Sequence, residues 1–185
     1  DVVSNFIALD PVKDIRNFLR IIVHRLTSQK EAELVLNHSL GGGATTYIHR
    51  RMTANPEKEY FYAELLPDKT TLKIFPINMD NQDVLHFDYG KADREFLKKL
   101  GQCLRIDRIF INQLVNYPID AIMDMITASG LKYEYFIHDF YCVCPRYALL
   151  NENNEFCHCE KQQSVCNKCL QVESDQIDID KWRKG

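Results

Sequence analysis

An α/β fold, a parallel sheet flanked by helices, is the class the sequence predicts, and three observations lead to it. The apolar run Glu31–Leu36 is followed at once by a glycine-rich turn and a helical stretch. From residue 92 onward helix-prone and strand-prone segments alternate, and parallel neighbours need long crossovers that helices usually supply. At 185 residues and net charge −3 the chain is long enough to bury one core.

The elements follow in order. Asp10-Pro11 reads as a helix start, with Asp as N-cap and Pro at the first helical position. Val12, Ile15, Phe18, Leu19, Ile22, Val23 and Leu26 recur at helical spacing and predict one apolar face. Residues 1–30 read as a helical extension ahead of a main domain over 31–185. In that domain 31–36 is a strand, Asn37–Gly43 its turn, and 44–52 a helix. Segments 60–65, 70–75 and 84–87 read as hairpin-like strands at a sheet edge, separated by Pro67-Asp68 and Asn78–Asn81. Residues 92–103 form a helix, 108–111 a buried strand, 118–128 a helix ended by Gly130, and 131–137 a further strand.

Charge and hydropathy narrow the function classes. The near-neutral balance gives no basis for nucleic-acid binding, which needs clustered Lys and Arg. Arg50-Arg51 and Lys98-Lys99 read as solvated helix faces. No apolar run approaches the roughly 20 residues that span a bilayer. The first residues show no secretory signal, so a reducing, cytoplasmic setting is expected.

Six of the seven cysteines lie between Cys142 and Cys169, which in a reducing setting favours a metal over disulfides. Cys166-Asn-Lys-Cys169 has the spacing that lets two sulfurs reach one tetrahedral Zn²⁺. Cys144 with Cys157 or Cys159 would supply the other pair. Residues 142–170 thus read as a cysteine-rich knuckle holding structural zinc.

Open parallel sheets bind ligands outside the carboxyl ends of their strands. Three segments qualify: Asn37–Gly43, Asn112–Asn116 and His138–Cys144. His38, Asn112, Gln113, His138 and Asp139 are therefore the candidate site. Gly41, Gly42 and Gly43 let the backbone approach a ligand, and the helix behind them offers free N–H groups to an anion. Imidazole can exchange a proton near neutral pH, and an adjacent carboxylate can fix its tautomer. The plainer alternatives are a tight turn without ligand, and a His138 that only caps the next segment while Asp139 accepts from backbone N–H groups.

Taken together, His38-Ser-Leu-Gly41-Gly-Gly43, the strand ending Ile137-His138-Asp139, Cys144-Pro145-Arg146, the CxxC and the closing Ile179-Asp-Lys-Trp182-Arg183 resemble a subgroup of family 4 glycosyltransferases of the GT-B fold, bacterial enzymes of surface polysaccharide assembly. The resemblance spans roughly residues 31–183. It implies a Rossmann-like N-terminal half that binds the acceptor, and a C-terminal half that holds a nucleotide-sugar. Gly41, Gly42 and Gly43 would contact the donor diphosphate or the acceptor. His138 would lie near the transferring sugar, with Asp139 beside it. His38 and Asn112 are substrate-binding candidates from their places at strand ends rather than from the resemblance, and a lipid-linked acceptor would bring peripheral membrane contact. Two departures stand out. Asn112-Gln113 occupies a segment where relatives often carry histidine, and no Glu-x7-Glu donor motif appears where the family would place it. The chain then reads as the acceptor-side part of a longer enzyme, inactive alone. The runner-up reading is a non-catalytic, zinc-bearing interaction module on an α/β scaffold.

Overall fold

Seven consecutive buried residues form β1, Ala32–His38. Burial on both faces is the mark of a central parallel strand, and in the computed structural model, which describes residues 11–79, 83–171 and 178–184, β1 is central. The sheet has six strands in the order β4-β3-β2-β1-β5-β6, with β2 at Glu59–Leu65, β3 at Thr71–Ile77, β4 at Leu85–Asp88, β5 at Arg108–Ile111 and β6 at Lys132–Tyr135. β2 and β5 both pair with β1 in parallel, and β6 continues in parallel on β5. The hairpin strands β3 and β4 are antiparallel at the opposite edge. The sheet is therefore mostly, not wholly, parallel, because the short turn at Pro67-Asp68 leaves no room for a crossover helix.

Between the strands run α2 (Gly43–Ala54), α3 (Phe96–Leu104) and α4 (Ile119–Ser129). The crossovers β1-α2-β2 and β5-α4-β6 leave the sheet centre in opposite directions. Right-handed connections then put α2 and α4 on opposite faces. On the α2 face Ile48 and Met52 close over Val35, Tyr60, Tyr62 and Phe110. Helix α3 begins at Phe96 rather than near 92, because Asp93 holds a turn whose carboxylate accepts from Glu95 N–H. Gly130 stops α4 in the left-handed region, φ 69°, as the sequence predicts.

Helix α1 (Pro11–Thr27) packs on α3 and β4 within the same compact unit, Asp1–Phe136. Its buried face is not the predicted one. Val12, Leu19, Val23 and Leu26 are exposed, whereas Asp14, Asn17, Phe18, Ile21 and Arg25 are buried. Polar bonding decides this. Arg25 donates to Glu59 Oε2 at 2.6 Å and to the Leu104, Arg105 and Lys30 carbonyls at 2.9, 2.9 and 3.1 Å, while His24 Nε2 stands 2.9 Å from Glu59 Oε1. Phe18 meets the Phe87 ring edge-on. The Asp10 cap and the Asp80-Asn81 part of the predicted turn lie outside the described residues.

Arg51 also departs from the expected solvated face. It is bonded to the fully buried Glu33 at 2.8 Å and lies 4.1 Å over the Phe110 ring, while Lys58 takes the other Glu33 oxygen at 2.8 Å. Lys98 and Lys99 do face solvent, paired with Glu95 and Asp93.

The second compact unit, Ile137–Gly185, contains α5 (Gln163–Leu170) and α6 (Ile179–Lys184). A short hairpin closes through the Leu150–Phe156 bridge, with Asn151 Oδ1 accepting from Asn153 and Glu155 N–H. Trp182 of α6 donates to Tyr141 O at 2.9 Å and meets the Tyr141 ring edge-on. Among the described residues of this unit Tyr141, Leu149, Leu170 and Ile179 are buried apolar side chains.

Candidate functional site

Strands β1 and β5 lie side by side with their connections departing in opposite directions, which makes their carboxyl ends the topological switch point of the sheet. Ligands of open α/β sheets bind at that position. The loop after β1 is Ser39–Gly42 and the loop after β5 begins at Asn112. Gly41 and Gly42 adopt φ 77° and 87° and are exposed, and a Cβ added at either meets nothing within 4 Å. Gly42, the N-cap of α2, has ψ −162° and makes no side-chain cap bond. That combination is essentially restricted to glycine. The first N–H groups of α2 thus emerge behind a bare backbone turn, the arrangement that suits an anion.

Beneath the turn lies a network of buried amides. Asn37 Nδ2 is within hydrogen-bonding distance of Tyr62 Oη (2.7 Å), His38 O (2.9 Å) and Thr45 Oγ1 (3.1 Å). Asn112 Nδ2 donates to Asn37 Oδ1 at 2.7 Å and to Ala44 O at 3.1 Å. Tyr62 in turn donates to Glu64 Oε1 at 2.8 Å. Burial, then the Glu64 carboxylate, hold the Tyr62 hydroxyl well above its ordinary range, so it stays a neutral donor. Asn112 is 0% exposed: it braces the loop rather than presenting itself to a ligand. His38 is largely buried, and its Nδ1 accepts from Leu40 N–H at 3.1 Å, fixing the start of the turn. Gln113 is buried, with Oε1 accepting from Leu114 N–H.

Two groups escaped the sequence reading. Glu64 is the partly exposed residue at the carboxyl end of β2, beside the switch point. Asn116, left-handed at φ 77°, keeps Nδ2 buried without a hydrogen-bond partner. Glu64 could have been found by applying the carboxyl-end rule to β2 as well as to β1 and β5. Asn116 falls within the segment that the carboxyl-end rule marks, but nothing in the sequence singles it out from its neighbours.

His138 and Asp139 belong to the second unit. Strand β6 ends at Tyr135, shorter than the predicted 131–137, so these residues stand beyond a connecting segment. Both are partly exposed. Asp139 Oδ1 accepts from Tyr141 N–H at 2.9 Å, a local turn bond of the kind the plainer alternative describes.

In the same unit Cys144, Cys157, Cys166 and Cys169 line one cavity of about 270 Å³, together with Arg146 and Arg183. Cys159 and Cys142 are exposed and are not part of its wall. The CxxC of the predicted knuckle lies on α5, where three-residue spacing puts both sulfurs on one face. Among the described residues no three His, Cys, Asp or Glu side chains are already drawn close enough to hold a metal ion. Burial raises the Cys144 and Cys169 thiols above their ordinary range.

The fold is a six-stranded, mostly parallel α/β sheet flanked by helices, consistent with a Rossmann-like arrangement. No protein-family model, no curated protein and no solved structure matches the chain. No described helix is long and apolar enough to cross a membrane.

Proposed function

We propose that these residues form the acceptor-side part of a nucleotide-sugar-dependent glycosyltransferase of GT-B type, acting in bacterial surface polysaccharide synthesis with a donor-binding domain that is not among them. The observation that carries this reading is the Gly41–Gly43 turn, opening α2 at the β1/β5 switch point over a fully bonded amide network. The resemblance of the His-Asp, Cys-Pro-Arg and CxxC motifs supports it. In the reaction a sugar passes from a nucleotide diphosphate to an acceptor hydroxyl. Chemistry of this kind rests on positioning and on stabilising the departing diphosphate. The backbone N–H groups at Gly43–Thr45 would meet phosphate or acceptor oxygens, with Glu64 and Asn116 oriented toward hydroxyls. By the resemblance, His138 of the second unit is the histidine expected near the transferring sugar in the complete enzyme.

Amide chemical shifts, followed while uridine diphosphate or pyrophosphate is titrated to millimolar levels, test the binding edge. Shifts at Gly41–Thr46 and at Asn112–Asn116 are expected. Gly42→Ala, which must abandon a conformation costing non-glycine residues about 1–3 kcal/mol, should abolish them. Unmoved amides at both loops, or an unaltered titration in the Gly42 variant, would contradict the assignment.

A further inference from the structure

We infer that Cys144, Cys157, Cys166 and Cys169 bind one Zn²⁺, and that Arg146 and Arg183 are the cations that offset the charge of the four-thiolate centre. The glycosyltransferase reading does not require this site, and the cavity and arginine contacts that carry it are independent of that reading.

The four sulfurs come from three segments that the second unit folds around a single cavity. Cys144 follows the turn in which its N–H donates to Phe140 O; Cys157 follows the hairpin, its N–H donating to Leu149 O; Cys166 and Cys169 share a face of α5. Four soft sulfur donors around one cavity are the donor set of a closed, structural zinc site, with no position left for water. The backbone is arranged for this. His158 and Cys159, directly after Cys157, are both left-handed, φ 52° and 55°, without a glycine between them. Such conformations persist where surroundings over-determine them, ligand clamps among them.

Metal binding replaces four S–H bonds by four Zn–S bonds and releases four protons to solvent, so the centre carries net charge −2. Two arginines stand where that charge would appear. Arg183 Nη2 lies 3.7 Å from Cys166 Sγ and donates to Glu160 O at 3.0 Å, while its Nε donates to Val143 O at 3.2 Å. Arg183 thereby ties the segments before Cys144 and Cys166 together at the thiol. Arg146 lines the same cavity and reaches the Leu150 and Asn151 carbonyls at 3.3 and 3.2 Å. The Cys-Pro-Arg and Trp-Arg motifs therefore receive a role as outer partners of a metal centre. Such partners typically change metal affinity about 10–100-fold.

Elemental analysis of the 185-residue chain, purified in reducing buffer without added metal, should give about one zinc per chain, the stoichiometry of a closed four-ligand site. Cys157→Ser and Cys169→Ser should lose it; Cys142→Ser and Cys159→Ser should keep it. Arg183→Ala should raise the chelator sensitivity of bound zinc by about tenfold or more, with Arg183→Lys intermediate. Should the ligand variants fail to fold, Co²⁺ added to chelator-stripped parent chain reads the same centre, through the visible bands of tetrahedral thiolate-bound cobalt. Iron in place of zinc, no metal together with disulfides by mass, zinc retained in Cys157→Ser but lost in Cys159→Ser, or cobalt bands of an oxygen-rich site would each overturn the inference.

Discussion

Replacing Arg25 by alanine is expected to destabilise the first unit by about 3–5 kcal/mol, the usual result of removing one partner of a buried ion pair. Arg25 is 3% exposed and Glu59 2%. The substitution removes the guanidinium from a buried carboxylate and also leaves the Leu104 and Arg105 carbonyls at the end of α3 without their donor. His24 and Ser28 remain bonded to Glu59 and limit the loss. Urea denaturation of the parent and variant measures it; a difference under about 1 kcal/mol would place this contact in the class of surface pairs. The same carboxylates set a pH dependence. Burial alone would raise Glu59 and Glu33, but bonds from His24, Ser28 and Arg25, and from Arg51 and Lys58, outweigh it and hold both below 4.5. Groups with depressed folded values contribute stability that is present above their unfolded value and is lost as pH falls through the folded one. Stability should accordingly hold above about pH 5 and decline below about pH 4.5, and Glu59→Gln should flatten part of that decline.

The second large effect is expected at His138. In the complete glycosyltransferase that the proposal requires, His138→Ala should lower turnover by about 10²–10⁴-fold, the range for a positioned acid-base or orienting group, with folding and zinc content unchanged. His49→Ala is the control. His49 is exposed on α2, touching only the Tyr62 ring among the described aromatic contacts, and its loss should leave turnover within about twofold, as for surface changes generally. Equal activity in the His138 variant and the parent would make the histidine structural and favour the interaction-module alternative.

Much of the first unit was legible because its signals are local. The apolar run at β1 and the turn after it, β5 at Arg108–Ile111, and the Gly130 stop all follow from periodicity and turn chemistry. The α1 face was not legible, because an apolar stripe at helical spacing says nothing of Arg25 finding Glu59, 34 positions away in sequence. Arg51 was misread for the same reason: a buried Glu33 and an aromatic ring make a half-buried, bonded position of what looks like a solvated one. At the site, the glycine turn was readable, since its conformation is a glycine property. The role of Asn112 was not, because an asparagine at a strand end looks alike whether it meets a ligand or, as here, locks two loops together. The cysteine spacing suggested a shared centre. Only the folded second unit distinguishes Cys157, on the cavity wall, from the exposed Cys159.

Sugar transfer from a panel of nucleotide-sugars, measured for these 185 residues alone and for the longer enzyme, separates an acceptor-side glycosyltransferase domain from an interaction module. Transfer by the longer enzyme, abolished or strongly reduced by His138→Ala, is expected, and none by residues 1–185. Robust turnover by the 185 residues alone, or a longer protein with neither a donor-binding domain nor transfer activity, would contradict the acceptor-side reading.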